Sequence, residues 1–390
     1  MKVLLLNSQP VDYTIAFANG LAPHAETVAV LPRDLYAPLR KWIDPRVRLE
    51  LVDWPRTRSL RNPAFLRRLV QIVRDEQPDV LHLLSNTTLW LNAAAPFWRA
   101  PVLVTTVHDV GLHPGDRDTA RLPGWGARLM ARQSDHVIVH GDRLRHTAAR
   151  ALAMPRDRIH VLPHPAIRRY ADLARAEGMR RSRPPEEFVV LLFGRIFAYK
   201  GLTTLIRAEA ALDRSLPGLR LVIAGRGDDP RALMDQMGDP DRYQIHTGHI
   251  PDALVAELFT EADVVVLPYD EASQSGVLHV AATFGKPVVV TDVGELRATV
   301  EPNDTGLVIP PRSPQALARA LRHLAADPED RARLGRNALR WSQGPNAPCT
   351  IGASALALYR ELVESRPPLS TERIAGQAEG PNCPARRPGS

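Results

Sequence analysis

The chain is predicted to fold as two doubly wound α/β domains. Three observations carry that prediction: a length of 390 residues, short apolar runs alternating with helix-length segments, and a break in the alternation near residue 180. A chain of this length exceeds one ordinary core and suits two domains of about 100 to 200 residues each. Its 44% hydrophobic and 24% charged composition is that of a globular protein, which excludes a fibre or a generally disordered chain. Apolar runs of strand length joined by helix-length segments are the pattern of parallel strands with crossover helices on both faces.

In the first half, strands are expected at Val3–Leu6, Thr27–Leu31, Val80–Leu84, Val102–Thr106, His136–His140 and Ile159–Leu162. Residues 171–187, rich in Arg, Glu and Pro, read as an interdomain linker between domains of residues 1–175 and 186–345. In the second half, strands are expected at Phe188–Phe193, Leu219–Ala224, Tyr243–Thr247, Val264–Leu267, Pro287–Thr291 and Thr305–Ile309. Residues 346–365 have helical periodicity and are expected to pack back on the first domain. Residues 366–390, with five prolines and three glycines, are expected to be a disordered tail.

The apolar run at Val3–Leu6 is too short for a signal-peptide core, and no stretch approaches eighteen consecutive apolar residues. Cys349 and Cys383 stand alone rather than in CxxC pairs, so neither a disulfide framework nor a zinc site is expected. A cytoplasmic location follows as the expectation. Residues 1–185 carry 28 Lys and Arg against 17 Asp and Glu, whereas residues 186–390 carry 22 against 26. A basic first half attracts phosphates, acidic glycans or anionic lipid headgroups, or simply solvates its charge. The basic stretch from Trp54 to Leu69, interleaved with aromatic and aliphatic residues, fits peripheral membrane contact as well as an ordinary exposed helix. Nucleic-acid binding is set aside, since aromatics are only 5% and no nucleic-acid module is apparent.

Two segments carry chemistry. The second domain opens with a strand, Gly194, and then Arg195 and Lys200 before a helix. Ligands of open α/β folds bind at the carboxyl ends of strands, where two such cations neutralise a diphosphate. Further along, the strand ending at Leu267 leads through a turn containing Ser273, Gln274, Ser275 and Gly276 into a helix beginning near Val277. The unpaired amides at that helix start form an anion site, unless Ser273 or Ser275 caps them.

The motifs FGRIFAYKGL, LVIAGRGD, HTGHIP, ADVVVLPY, SQSGV, FGKPVVVTDVGEL and TGLVIP follow one another in this order. That order resembles the family 4 glycosyltransferases, the retaining GT-B enzymes, across residues 1–362 and most strongly across 188–325. The resemblance implies two Rossmann-like domains facing a central cleft. The second would bind a UDP- or GDP-sugar and the first an acceptor, with no metal or other cofactor. It implies that Gly194, Arg195, Lys200, Gln274, Ser275, Gly276 and Val277 contact the donor. His108, at the end of Val102–Thr106, matches the histidine that approaches the donor sugar, and Asp109 would orient it or bind an acceptor hydroxyl.

Two departures stand out. The paired glutamates of the family fall on Ala272 and Val280, leaving Glu271 as the nearest candidate carboxylate. The glycine pair after the first strand is replaced by residues 7–14, here read as an acceptor loop. His113, His140 and His164 are read as surface or structural histidines. The resemblance favours attack on the face from which the diphosphate leaves, over a double displacement through an enzyme nucleophile. The acceptor is unidentified: a cell-envelope or polysaccharide intermediate, lipid-linked or free, or a metabolite. A catalytically silent nucleotide-sugar-binding protein is the alternative.

Overall fold

A computed structural model describes residues 1–56, 59–85, 91, 94–98, 102–111, 124–212 and 216–365. In the first lobe, seven parallel strands form one sheet: β1 (Lys2–Leu6), β2 (Glu26–Pro32), β3 (Arg48–Val52), β4 (Val80–Leu83), β5 (Val102–Thr106), β6 (His136–Val139) and β7 (Ile159–Val161). Their order is β3-β2-β1-β4-β5-β6-β7. In the second lobe, β8 (Phe188–Phe193), β9 (Leu219–Gly225), β10 (Tyr243–Thr247), β11 (Val264–Leu267), β12 (Val288–Thr291) and β13 (Gly306–Ile309) form a sheet ordered β10-β9-β8-β11-β12-β13. Each sheet therefore reverses direction once, between β1 and β4 and between β8 and β11. Those switch points are where doubly wound folds open a crevice for ligands.

The central strands are apolar on both faces because helices cover both. The first lobe's helices are α1 (Val11–Leu21), the short α2 (Arg33–Tyr36), α3 (Asn62–Glu76), α4 (Gly124–Gln133) and α5 (Asp142–Leu152). Next come α6 (Arg169–Ala176), α7 (Leu202–Leu212), α8 (Asp252–Glu261), α9 (Gly276–Thr283), α10 (Leu296–Asn303), α11 (Pro314–Ala326), α12 (Pro328–Gln343) and α13 (Pro348–Glu364). Helix α13 returns to the first lobe and joins its core through Ile351, Ala355, Leu356, Tyr359 and Leu362. Its close approach to α1 depends on two glycines. A Cβ at Gly20 would lie 2.0 Å from the Pro348 carbonyl oxygen, and one at Gly352 would lie 1.9 Å from that of Gly20. The Tyr359 hydroxyl then reaches Nδ1 of buried His82 at 2.6 Å.

Strand β3 was not expected, because Arg48 and Glu50 break up its apolar character; it is an edge strand, where one side meets solvent. Residues 171–187 are not a simple linker. They begin inside α6, whose Tyr170 joins the second lobe's core. In the basic stretch, Phe65 and Leu69 turn inward from α3 into the core, whereas Leu60 is exposed. The expected disordered tail and His113 lie outside the described residues. Among the described residues, no helix is long and apolar enough to cross a membrane.

Candidate active site

The carboxyl ends of both sheets face one cleft, which holds a cavity of about 280 Å³ lined by both lobes. On the second-lobe side, β8 runs into Gly194, whose φ of +115° turns the chain toward the cleft. Gly225 packs so closely behind it that a Cβ there would lie 1.6 Å from the Gly194 carbonyl oxygen. Arg195 and Lys200 both line the cavity. Lys200 is fixed by its surroundings: its Nζ sits 3.8 Å from the ring centre of Tyr269 and 4.9 Å from that of Tyr199. A cation over aromatic faces is held in place without losing its charge. The Tyr199 carbonyl also accepts from the Asp270 amide at 2.8 Å, which ties the Lys200 turn to the loop after β11.

That loop delivers Gln274, Ser275, Gly276 and Val277 to the cavity wall. Helix α9 starts here with no side-chain cap. The Ser275 hydroxyl instead pairs with that of Tyr269 at 3.1 Å, so the amides of the first turn face the cleft as an anion site. Burial pushes the Tyr269 phenol up to about 12, keeping it neutral. Oε1 of Gln274 is buried with no hydrogen-bond partner among the described residues. A buried acceptor left in that state is costly, and the residue that carries it lines the cavity.

The first-lobe side contributes Pro10, Asp12, Tyr13, His108, Asp109 and His164. His108 is 8% exposed, with Nε2 2.8 Å from the Leu84 carbonyl and its ring edge-on to Tyr13 at 4.5 Å. Burial holds its pKa below the ordinary imidazole value, against the opposing pull of the Leu84 carbonyl and Asp109.

Several expectations need correction. Glu271 is exposed and absent from the cavity lining, because the turn directs Ala272 inward instead. Ala272 and Val280, the positions of the family's glutamates, do line the cavity. The second half of the expected acceptor loop, residues 7–14, is helix: α1 begins at Val11, and Asn7 is held inside by Thr14 at 2.6 Å and Ser85 at 2.8 Å. Of the two readings given for His140 and His164, surface or structural, burial favours the structural one. Both are buried, His164 lines the cavity, and His140 contacts His108.

Sequence reasoning missed the residue that joins the lobes. Arg169 bonds Asp12 of α1 and, from its other side, Asp252 of α8. The Tyr170 hydroxyl donates to the same Asp12 at 3.0 Å. No motif announces Arg169, because its partners stand 157 and 83 residues away.

Two family models cover most of the chain. Residues 11–165 match the glycosyl transferase 4-like domain, and residues 176–341 match glycosyl transferases group 1. The alpha-D-kanosaminyltransferase of Streptomyces kanamyceticus is 30% identical over 273 residues, 67% of this chain and 70% of that one. The chain belongs to the family 4 glycosyltransferases. A D-inositol 3-phosphate glycosyltransferase of Acidothermus cellulolyticus is 32% identical over 333 residues, covering 77% and 70% of the two chains. The glycosyltransferase also shares its fold with the sucrose-phosphate synthase of Thermosynechococcus elongatus, at a TM-score of 0.69 and 20% identity over 94% of this chain and 100% of that one. HepE of Anabaena, solved in complex with UDP-glucose, matches at 0.68 and 19% identity over the same shares. The fold of this glycosyltransferase is therefore GT-B, with two Rossmann-like domains about a cleft.

Proposed function

We propose that this glycosyltransferase moves a sugar, with retention, from a nucleotide sugar on the second lobe to a hydroxyl of an anionic polyol or glycan presented by the first. One observation carries the reading. Lys200, pinned between two tyrosines, and the uncapped start of α9 converge in one cavity opposite His108.

A diphosphate placed there meets Arg195, Lys200 and backbone amides together. Donors fixed in advance stabilise the charge that grows on a leaving diphosphate without reorganising as it grows. Gln274 would accept from a sugar hydroxyl and Asp109 would bind one from the other wall, while His108, whose two ring nitrogens are engaged by the Leu84 carbonyl and His140, would bound the sugar with its ring. With Ala272 and Val280 in place of glutamates, attack on the diphosphate's own face asks least of this cleft, because it needs no enzyme nucleophile. The anionic acceptor rests on the basic first half and on relatives named for D-inositol 3-phosphate. The UDP-glucose complex of HepE makes uridine the first nucleotide to try.

The test is a thermal-shift and donor-hydrolysis screen of nucleotide sugars, with the Arg195→Ala, Lys200→Ala double variant beside the wild type. One donor should stabilise and be slowly hydrolysed by the wild type alone. No stabilisation by any donor would sink the reading, and binding without turnover in the presence of polyol phosphates would favour a silent binding protein.

A further inference from the structure

Behind the cleft wall, His108 and His140 face each other with Nδ1 of the first 3.0 Å from Nε2 of the second. Their outer nitrogens are also engaged. Nε2 of His108 lies 2.8 Å from the Leu84 carbonyl oxygen, and Nδ1 of His140 lies 3.0 Å from that of Leu162. A carbonyl only accepts, so each outer nitrogen carries a proton. A neutral imidazole has one proton in all. Two neutral rings therefore leave two bare lone pairs pointing at each other across the central contact. The set of three hydrogen bonds closes only when the pair holds three protons and one positive charge.

We propose that His140 is a positioning residue for His108, and that the pair takes up one proton when a donor diphosphate enters the cleft. This rests on the nucleotide-sugar reading above. Without an anion, burial disfavours the charged pair. A diphosphate supplies the opposite charge, the third proton enters between the rings, and the new N–H···N bond locks the plane of His108 toward the sugar.

The neighbours are consistent with a charge that only the ligand brings in. Tyr13 of α1 packs on both rings, while His82 of β4, His164 after β7 and His279 of α9 are buried imidazoles with lowered pKa values. Asp109 beside His108 favours the proton. Of the cleft's other charges, Asp12 is already bonded to Arg169, and Arg195 and Lys200 lie on the donor side.

The experiment is calorimetric titration of the full chain with UDP-glucose and with GDP-mannose, each in buffers of low and high ionisation enthalpy. A nucleotide sugar has no phosphate proton of its own to exchange near neutral pH, so proton uptake reports the protein. The wild type should take up close to one proton per donor, and its affinity should fall about tenfold per pH unit above the pair's titration, by reciprocity of the two equilibria. His140→Gln offers a side-chain amide that donates to Nδ1 of a neutral His108. It should bind the donor with no uptake and an affinity flat from about pH 6.5 to 8.5.

Binding by the wild type without proton uptake, or equal uptake by His140→Gln, overturns the proposal and leaves the donor reading standing. If neither donor binds, the nucleotide sugar that most stabilises the protein in the screen above is titrated in the same way, and the lack of any such donor overturns both. Should His140→Gln not fold, ¹⁵N spectra of the wild-type ring nitrogens decide. Three N–H signals from the pair with donor bound are expected, and two overturn the proposal.

Discussion

The Glu295 carboxylate, on the second lobe, accepts a hydrogen bond from the backbone amide of Leu144, on the first, at 2.7 Å. Helix α5 has Gly141 at its start and no cap of its own, so its first-turn amide is satisfied from across the cleft. A Cβ at 141 would lie 2.3 Å from a Glu295 carboxylate oxygen, so a larger residue there would push the Glu295 side chain out of this clasp. Arg143 adds a 3.1 Å bond to Asp292 and a 3.2 Å bond to the Gly294 carbonyl, so one clasp joins the two sides.

Replacing Glu295 with Ala should cost about 1 kcal/mol, the usual value of a helix cap, read as a lowered Tm by calorimetry. Burial raises the Glu295 pKa, so the folded chain keeps this proton to higher pH than the unfolded one. Stability from this group therefore falls as pH rises from its ordinary carboxyl value through the raised one. Glu295→Gln should flatten that part of the profile.

Arg169→Met should destabilise the protein by about 1 to 3 kcal/mol, since it strands Asp12 and Asp252 near one another with no cation between them. Arg169→Lys should recover little of the loss, because a point charge cannot address two carboxylates in the planar fork that guanidinium provides. Denaturant unfolding of the three proteins checks the order.

Tyr269→Phe keeps a ring beneath Lys200 and loses only the bond to Ser275. Its donor KM should rise by less than about tenfold, whereas Tyr269→Leu should do worse by the cation–π contribution of roughly 0.5 to 2 kcal/mol. Steady-state kinetics with a fixed acceptor would separate the two; equal effects would show that the ring does not hold Lys200.

Lys286, whose Nζ donates to the Thr260 carbonyl at 2.9 Å, is pushed down to about 8 by burial. Between that value and the ordinary lysine value of 10.5 the unfolded chain binds the extra proton. The contribution of this residue to stability therefore rises with pH across that window. The Tm difference between wild type and Lys286→Met, measured at about pH 8 and pH 10, should shift in favour of the wild type at the higher pH.

Transfer should proceed unchanged in EDTA, because Arg195, Lys200 and the α9 amides supply the charge compensation that a divalent ion would otherwise give. Among the described residues, no group of three or more His, Cys, Asp or Glu side chains is placed to hold a metal. Loss of turnover on chelation, restored by a divalent salt, would contradict this.

What the sequence by itself determined was the repeating order of strand and helix, and with it the cleft. Runs such as Phe188–Phe193 and Val264–Leu267 are apolar on both faces, which only a strand covered on both sides accommodates, and twelve expected strands occur within a residue or so of their positions. Strand β3 escaped because an edge strand needs no continuous apolar run. Arg195, Lys200 and the Gln274–Val277 turn could be assigned to the cavity lining because strand ends and helix starts are local features, and His108 through the family resemblance. What only the tertiary structure decided was which distant groups meet. The exposure of Glu271, the bridge through Arg169, the cap by Glu295 and the pairing of His108 with His140 depend on how loops from separate crossovers converge. Those contacts leave no period or spacing in the chain, because they are set by how separate loops pack, within one lobe for Glu271 and for His108 with His140 and between the lobes for Arg169 and Glu295.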